Sequence, residues 1–138
     1  MRSILVDAGP LIALFDSGDR YHRQSLTFIN SVPNTILITN LPVLSEAMAN
    51  LDFSIEAQIA ALSWSTRTMR IDSATADDFP RIAAIMDKYR DLPADFADAS
   101  LVALAERLGT LEVATVDKDF DVYRTKSKGR FTNLFFER

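Results

Sequence analysis

Arg2-Ser3-Ile4-Leu5-Val6-Asp7-Ala8-Gly9-Pro10 is the stretch on which the fold turns. Its first five residues are short, largely apolar and β-branched at Ile4 and Val6, as a buried strand requires. The strand stops at Asp7-Ala8-Gly9-Pro10, a turn whose proline suits the first turn of a helix. A buried strand passing directly into a helix predicts an α/β chain, and the rest of the sequence repeats the alternation.

Working outward, residues 11–15 read as that short helix, Gly18 as its end, and 21–31 as a second helix. Residues 35–39 form the next strand, and Pro42 opens a helix over 43–51. Ser54 is a plausible cap for a helix to 65. Residues 68–71 make a short strand, after which Thr75 and Asp78 are spaced as a capping box for a helix to 89. Pro93 starts the next helix, where Leu101, Leu104, Ala105 and Leu108 share one face and Gly109 supplies the stop. Residues 113–116 are another buried strand. Residues 131–136 alternate poorly and read as a closing edge strand, or as a segment that packs on a partner. The expectation is one α/β domain over 1–138, a parallel β-sheet sandwiched by helices.

The chain has 138 residues, 48% hydrophobic and 25% charged, enough for one core of useful size. It contains no cysteine, so disulfides, thiolate metal sites and thiol nucleophiles are excluded, and a cytoplasmic location fits. No export signal is expected, because Asp7 interrupts the opening apolar stretch, and no membrane span, because no run approaches the roughly 20 apolar residues one needs. The net charge of −4 argues against holding nucleic acid by bulk electrostatics. An acidic protein can still engage a polyanion if metal ions bridge the two.

In open α/β sheets, ligands gather beyond the carboxyl ends of the strands. Asp7 and Asp117 each follow an apolar strand directly, which places two carboxylates on one edge of the sheet, although aspartate is also favoured in turns. Asp98 precedes Leu101 by three residues and Val102 by four, which aligns it with the inward stripe, past the first turn of a helix begun at Pro93. Asp95 lies one turn earlier, where capping and the helix dipole also explain it. Glu46 points largely away from the stripe of Leu44, Ala47, Met48 and Leu51 and alone reads as a solvated residue. Its helix starts just after the second strand, near Asp7. Like charges about 4 Å apart repel by about 1 kcal/mol in water and about 4 at an effective dielectric of 20, so such a cluster calls for a cation. Oxygen-only ligands point to Mg²⁺ or Mn²⁺, able to activate a water for in-line displacement at phosphorus.

These segments together resemble the PIN-domain ribonucleases, and more narrowly the VapC-type toxins of bacterial toxin–antitoxin pairs. The resemblance spans nearly the whole chain and rests on Val6-Asp7-Ala8-Gly9-Pro10-Leu11, Leu44-Ser45-Glu46-Ala47, Ala97-Asp98-Ala99-Ser100-Leu101-Val102-Ala103 and Thr115-Val116-Asp117-Lys118-Asp119-Phe120. It implies that Asp7, Glu46, Asp98 and Asp117 surround one or two Mg²⁺ or Mn²⁺ ions, with Thr115 in support and Asp95 as an accessory acid. It further implies RNA as substrate, a homodimer, and a cognate antitoxin whose tail fills the acidic groove.

Arg124, Lys126, Lys128 and Arg130 crowd one segment, where they could follow an RNA backbone or simply form a solvated loop. His22, the only histidine, reads as a helix-surface residue, and Trp64 and the nine phenylalanines read as core. Two rival readings are a phospho-receiver signalling module and a PIN-like module that binds without catalysis. The receiver would need paired acids after the first strand and a phosphoacceptor after the third, and only Asp7 follows the first. An aspartyl-nucleophile phosphatase would need an acid where Gly9 stands.

Overall fold

The computed structural model of the chain describes residues 2–136. Its strands are β1 (Ser3–Val6), β2 (Ile36–Asn40), β3 (Met69–Asp72), β4 (Glu112–Ala114) and β5 (Thr132–Asn133). Its α-helices are α1 (Ala8–Phe15), α2 (His22–Asn30), α3 (Leu41–Asn50), α4 (Ile55–Thr68), α5 (Phe79–Lys88) and α6 (Phe96–Leu108). The strands form one parallel sheet in the order β3-β2-β1-β4-β5. Ile4, Leu5 and Val6 are consecutive, so they point to opposite faces, and all three are buried; helices therefore cover both faces of the sheet. No helix among the described residues is long and apolar enough to cross a membrane.

The strand order reverses between β1 and β4, so the loops leaving these two strands part to opposite sides and open a crevice at their carboxyl ends. A receiver-type sheet has the order 2-1-3-4-5, which this sheet does not share. Asp72, at the end of β3, is held by Arg107 at 2.7 Å rather than standing in a pocket of its own.

Several boundaries differ from the sequence expectation for identifiable reasons. Pro93 does not start α6: Asp95 is the N-cap, its Oδ1 accepting from the Asp98 amide at 2.8 Å, and the helix begins at Phe96. Asp98 is consequently in the first turn, not past it. The Thr75 capping box is not formed, because Thr75 is buried, its hydroxyl has no hydrogen-bond partner among the described residues, and residues 75–78 wind as a 3₁₀ turn before α5. The closing strand is reduced to Thr132–Asn133, after which the chain bends. The phenylalanines are not uniformly core: Phe28, Phe120, Phe131 and Phe135 are buried, whereas Phe53, Phe79, Phe96 and Phe136 are exposed. Phe79 and Phe96 pack edge to face where α5 meets α6, and Trp64 is half-buried against Phe15.

Candidate acidic active site

β1 delivers Asp7 to the crevice, and the same residue caps α1: Oδ1 accepts from the Ala8 amide at 2.8 Å and Oδ2 from the Thr115 hydroxyl at 2.7 Å. The side chain is nearly closed off from solvent, at 4% exposure. Burial pushes its carboxyl up to about 6, against the lowering pull of the Thr115 and Ala8 hydrogen bonds and with further upward pressure from the charges of Asp117 and Asp95. α1 can approach this closely because residue 9 is glycine. A Cβ there would overlap Cγ2 of Val116.

β4 leads to Thr115 and Asp117 on the other side of the crevice. The Asp117 amide donates to the Thr115 hydroxyl oxygen at 2.9 Å, and the Asp117 carboxylate caps a 3₁₀ turn by accepting from the Asp119 amide at 2.9 Å. The Thr115 hydroxyl thus links the two aspartates, donating to one and accepting from the backbone of the other. Asp117 also borders an open cleft of about 240 Å³ with Val116, Lys118, Asp121, Asn133 and Phe136.

α6 supplies Asp98, 7% exposed, whose Oδ2 accepts from the buried Tyr123 hydroxyl at 3.2 Å. Burial raises the Asp98 carboxyl above the usual carboxylate range, followed by the charges of Asp7, Asp95 and Asp117 and a side-chain hydrogen bond with Asp117. α3 supplies Glu46. Its flank away from the apolar stripe faces the other acids rather than open water, and the side chain is half-buried. Burial, the charges of Asp7 and Asp95, a hydrogen bond with Asp95 and the charge of Asp117 together push it up to about 7. Asp95 itself is exposed at the start of α6.

Five acids, two of them from α6, therefore feel one another's charge. The ion pairs among the described residues engage Glu112, Glu106, Asp87, Asp72 and Asp78 and leave these five out. As placed, no three acidic or histidine side chains among the described residues close tightly enough to enclose an ion; Asp117 lies near enough to Asp98, and Asp95 to Glu46, for each to raise its neighbour's carboxyl. Neighbouring carboxylates relieve such repulsion by taking up a proton, and a divalent cation relieves it too. The donor set, all oxygen and without an ion-pair partner among the described residues, fits a hard divalent ion.

The basic segment directly follows Tyr123. Arg124 folds back on the carbonyls of Asp121, Val122 and Tyr123 and pairs with Arg130 across a bridge. The Lys126 amide donates to Glu106, roughly 12 Å along the α6 axis from Asp98. Lys128 sits at a left-handed turn position, with φ 66°. His22 has Nδ1 2.7 Å from the Ala13 carbonyl oxygen, a bond that ties α2 to α1. Sequence reasoning missed Asn40, which caps α3 and donates to the Ser100 hydroxyl at 3.0 Å, as well as Tyr123 and Asn133. A polar residue ending a strand was the available signal for Asn40. Tyr123 carried none.

A protein-family model described as PIN domain matches residues 4–126. Ribonuclease VapC26 of Mycobacterium tuberculosis is 27% identical to this chain over 137 residues, covering 94% of this chain and 98% of that protein. The crystal structure of Mycobacterium tuberculosis VapC20, a sarcin-ricin loop cleaving toxin, superposes with a TM-score of 0.77 at 24% identity, covering 86% of this chain and 93% of that one. At that identity the superposition speaks to the fold alone.

Proposed function

Since the chain belongs to the PIN-domain family, we propose that it is a Mg²⁺- or Mn²⁺-dependent endoribonuclease and the toxin of a toxin–antitoxin pair. The observation that supports the chemistry is the mutual repulsion of Asp7, Glu46, Asp98 and Asp117: burial and neighbouring negative charge hold three of them above the usual carboxylate range, with no ion-pair partner among the described residues. A structural cluster of this kind opposes folding, whereas a functional one is relieved by the ion it binds. The full-length similarity to a ribonuclease supports RNA as the substrate.

In this reading Asp7, Glu46, Asp98 and Asp117 would hold the ion, with Asp95 as an accessory. A bound divalent ion supplies a water of lowered pKa and a counter-charge for the phosphate. The protein's own part is orientation. Thr115 fixes Asp7 and the backbone of Asp117, Tyr123 fixes one oxygen of Asp98, and the Asp95 cap fixes the helix end that carries Asp98. Arg124, Lys126, Lys128 and Arg130 would meet the RNA backbone. An antitoxin protein, a homodimer and action in the cytoplasm complete the proposal.

The test is cleavage of RNA by the purified chain with Mg²⁺ or Mn²⁺, with chelator, and in Asp7→Asn and Asp98→Asn. Activity should need the ion and fall by at least about 100-fold in each variant. Equal activity in all three proteins would place the cleavage in another site or a contaminant, and none in any would favour a binding module. Growth arrest on induction, relieved by co-expressing the neighbouring small gene product, tests the toxin role.

A further inference from the structure

We propose that Asn133 is a positioning residue of the acidic site, acting through Thr115; the inference rests on the metal-dependent reading above. Val113 in β4 and Thr115, one residue past its end, turn their peptide groups toward β5. The ladder serves Val113, whose carbonyl accepts from the Leu134 amide at 2.8 Å, and then stops, because β5 ends at Asn133 and the chain bends away. Thr115 would be left with an unpaired amide and an unpaired carbonyl on that side. The Asn133 side chain takes the place of the missing strand: Oδ1 accepts from the Thr115 amide at 3.2 Å and Nδ2 donates to the Thr115 carbonyl at 3.0 Å. Oδ1 also accepts from the Phe135 amide at 3.0 Å, which sets the bend itself.

A carboxamide suits this task because it carries one donor and one acceptor in a plane, as a peptide group does. Aspartate has no donor and leucine has neither. With both Thr115 backbone groups held from β5, its Cα–Cβ direction is fixed, and the hydroxyl is left to bridge Asp7 Oδ2 at 2.7 Å and the Asp117 amide at 2.9 Å. Asn133 thus orients two of the proposed ion-holding acids without touching either carboxylate, and it joins the last strand to the catalytic edge of the sheet.

The experiment is Mn²⁺ binding to the full chain in the absence of RNA, measured by the spin-resonance signal of free Mn²⁺, with circular dichroism to confirm folding. Asn133→Ala and Thr115→Val should each weaken binding by about 10-fold, and the double variant should bind no more weakly than the weaker single one, because both changes disable the same hydroxyl. Thr115→Ser should bind as wild type does. Asn133→Asp guards against a variant that fails to fold. Its added negative charge, by attraction alone, would tighten Mn²⁺ binding, so weaker binding there means lost orientation. Losses that multiply in the double variant, or binding in Asn133→Asp as tight as wild type or tighter, would overturn the proposal. A wild-type chain that takes up no Mn²⁺ would overturn the metal-dependent reading along with it, which separates the two failures.

Discussion

Tyr123 and Asp98 meet in the interior, the phenol donating to Asp98 Oδ2 at 3.2 Å while its ring packs edge-on against Phe120 and Tyr89. A fully buried tyrosine needs a partner for its hydroxyl, and this one uses a carboxylate of the acidic site. The two needs are met by one bond, which holds Asp98 Oδ2 in place. Tyr123→Phe should cost about 1 kcal/mol in urea unfolding and weaken Mn²⁺ binding several-fold as Asp98 becomes free to turn. Unchanged Mn²⁺ affinity would show that the phenol serves packing only.

The raised carboxyls make a prediction about pH whose sign is the reverse of an ordinary salt-bridged acid. Asp7 at about 6 and Glu46 at about 7 bind protons more tightly in the folded chain than in the unfolded one. Their stabilising contribution is complete below the unfolded carboxylate range, about pH 4, and is lost as pH rises through 6 and 7. With chelator present, the melting temperature should therefore fall between pH 5 and pH 8, and saturating Mn²⁺ should remove most of that fall. Asp72 and Glu112, which Arg107 and Arg2 hold below the usual range, act in the opposite sense but only in more acid solution. A melting temperature that is flat from pH 5 to pH 8 in chelator would contradict the charge repulsion on which the site reading depends.

Asp98→Asn should separate stability from function. The amide keeps the size of the side chain, can still accept from Tyr123 and can donate to Asp117, and it spares the folded chain the cost of burying an acid that burial and its acidic neighbours hold above the usual carboxylate range. The metal-free variant should be more stable than wild type at pH 8 by about 1 kcal/mol, with RNA cleavage nearly abolished. Urea unfolding at pH 8 in chelator measures the first effect. Destabilisation there would mean that the Asp98 charge is favourably placed as it stands.

The parts of this site that could be read from the sequence are those set by local periodicity. Asp7 and Asp117 follow apolar strands, and Asp98 keeps the spacing of the buried face of α6, so each could be placed from its neighbours in the chain. Glu46 was legible only from the start of α3 just after β2; periodicity alone turns it toward solvent, whereas that flank of α3 lies near Asp95 at the start of α6. The N-terminus of α6 was misplaced since a proline is a weaker boundary signal than a side chain that caps; Asp95 does so and Pro93 does not. Asn133 and Tyr123 were out of reach. Their partners lie 18 and 25 residues away, and nothing in residues 131–136 announces that a strand will end one residue short and be completed by an amide.

Gly9 poses a contest between helix propensity and fit. It lies in the first turn of α1, where alanine would ordinarily favour the helix by up to about 1 kcal/mol. A Cβ at this position, however, would overlap Val116 Cγ2 and lie 3.3 Å from Val116 Cβ, and Val116 stands between Thr115 and Asp117. Either α1 retreats, taking Asp7 with it, or Val116 is pushed and moves the two residues beside it. Overpacking of this kind costs about 1–3 kcal/mol, so the clash outweighs the propensity and Gly9→Ala should be destabilised in urea unfolding, with weaker Mn²⁺ binding as well. Adding Val116→Ala removes the obstructing methyls and should restore most of the Mn²⁺ affinity. If the double variant binds no better than Gly9→Ala alone, Val116 is not what the glycine accommodates.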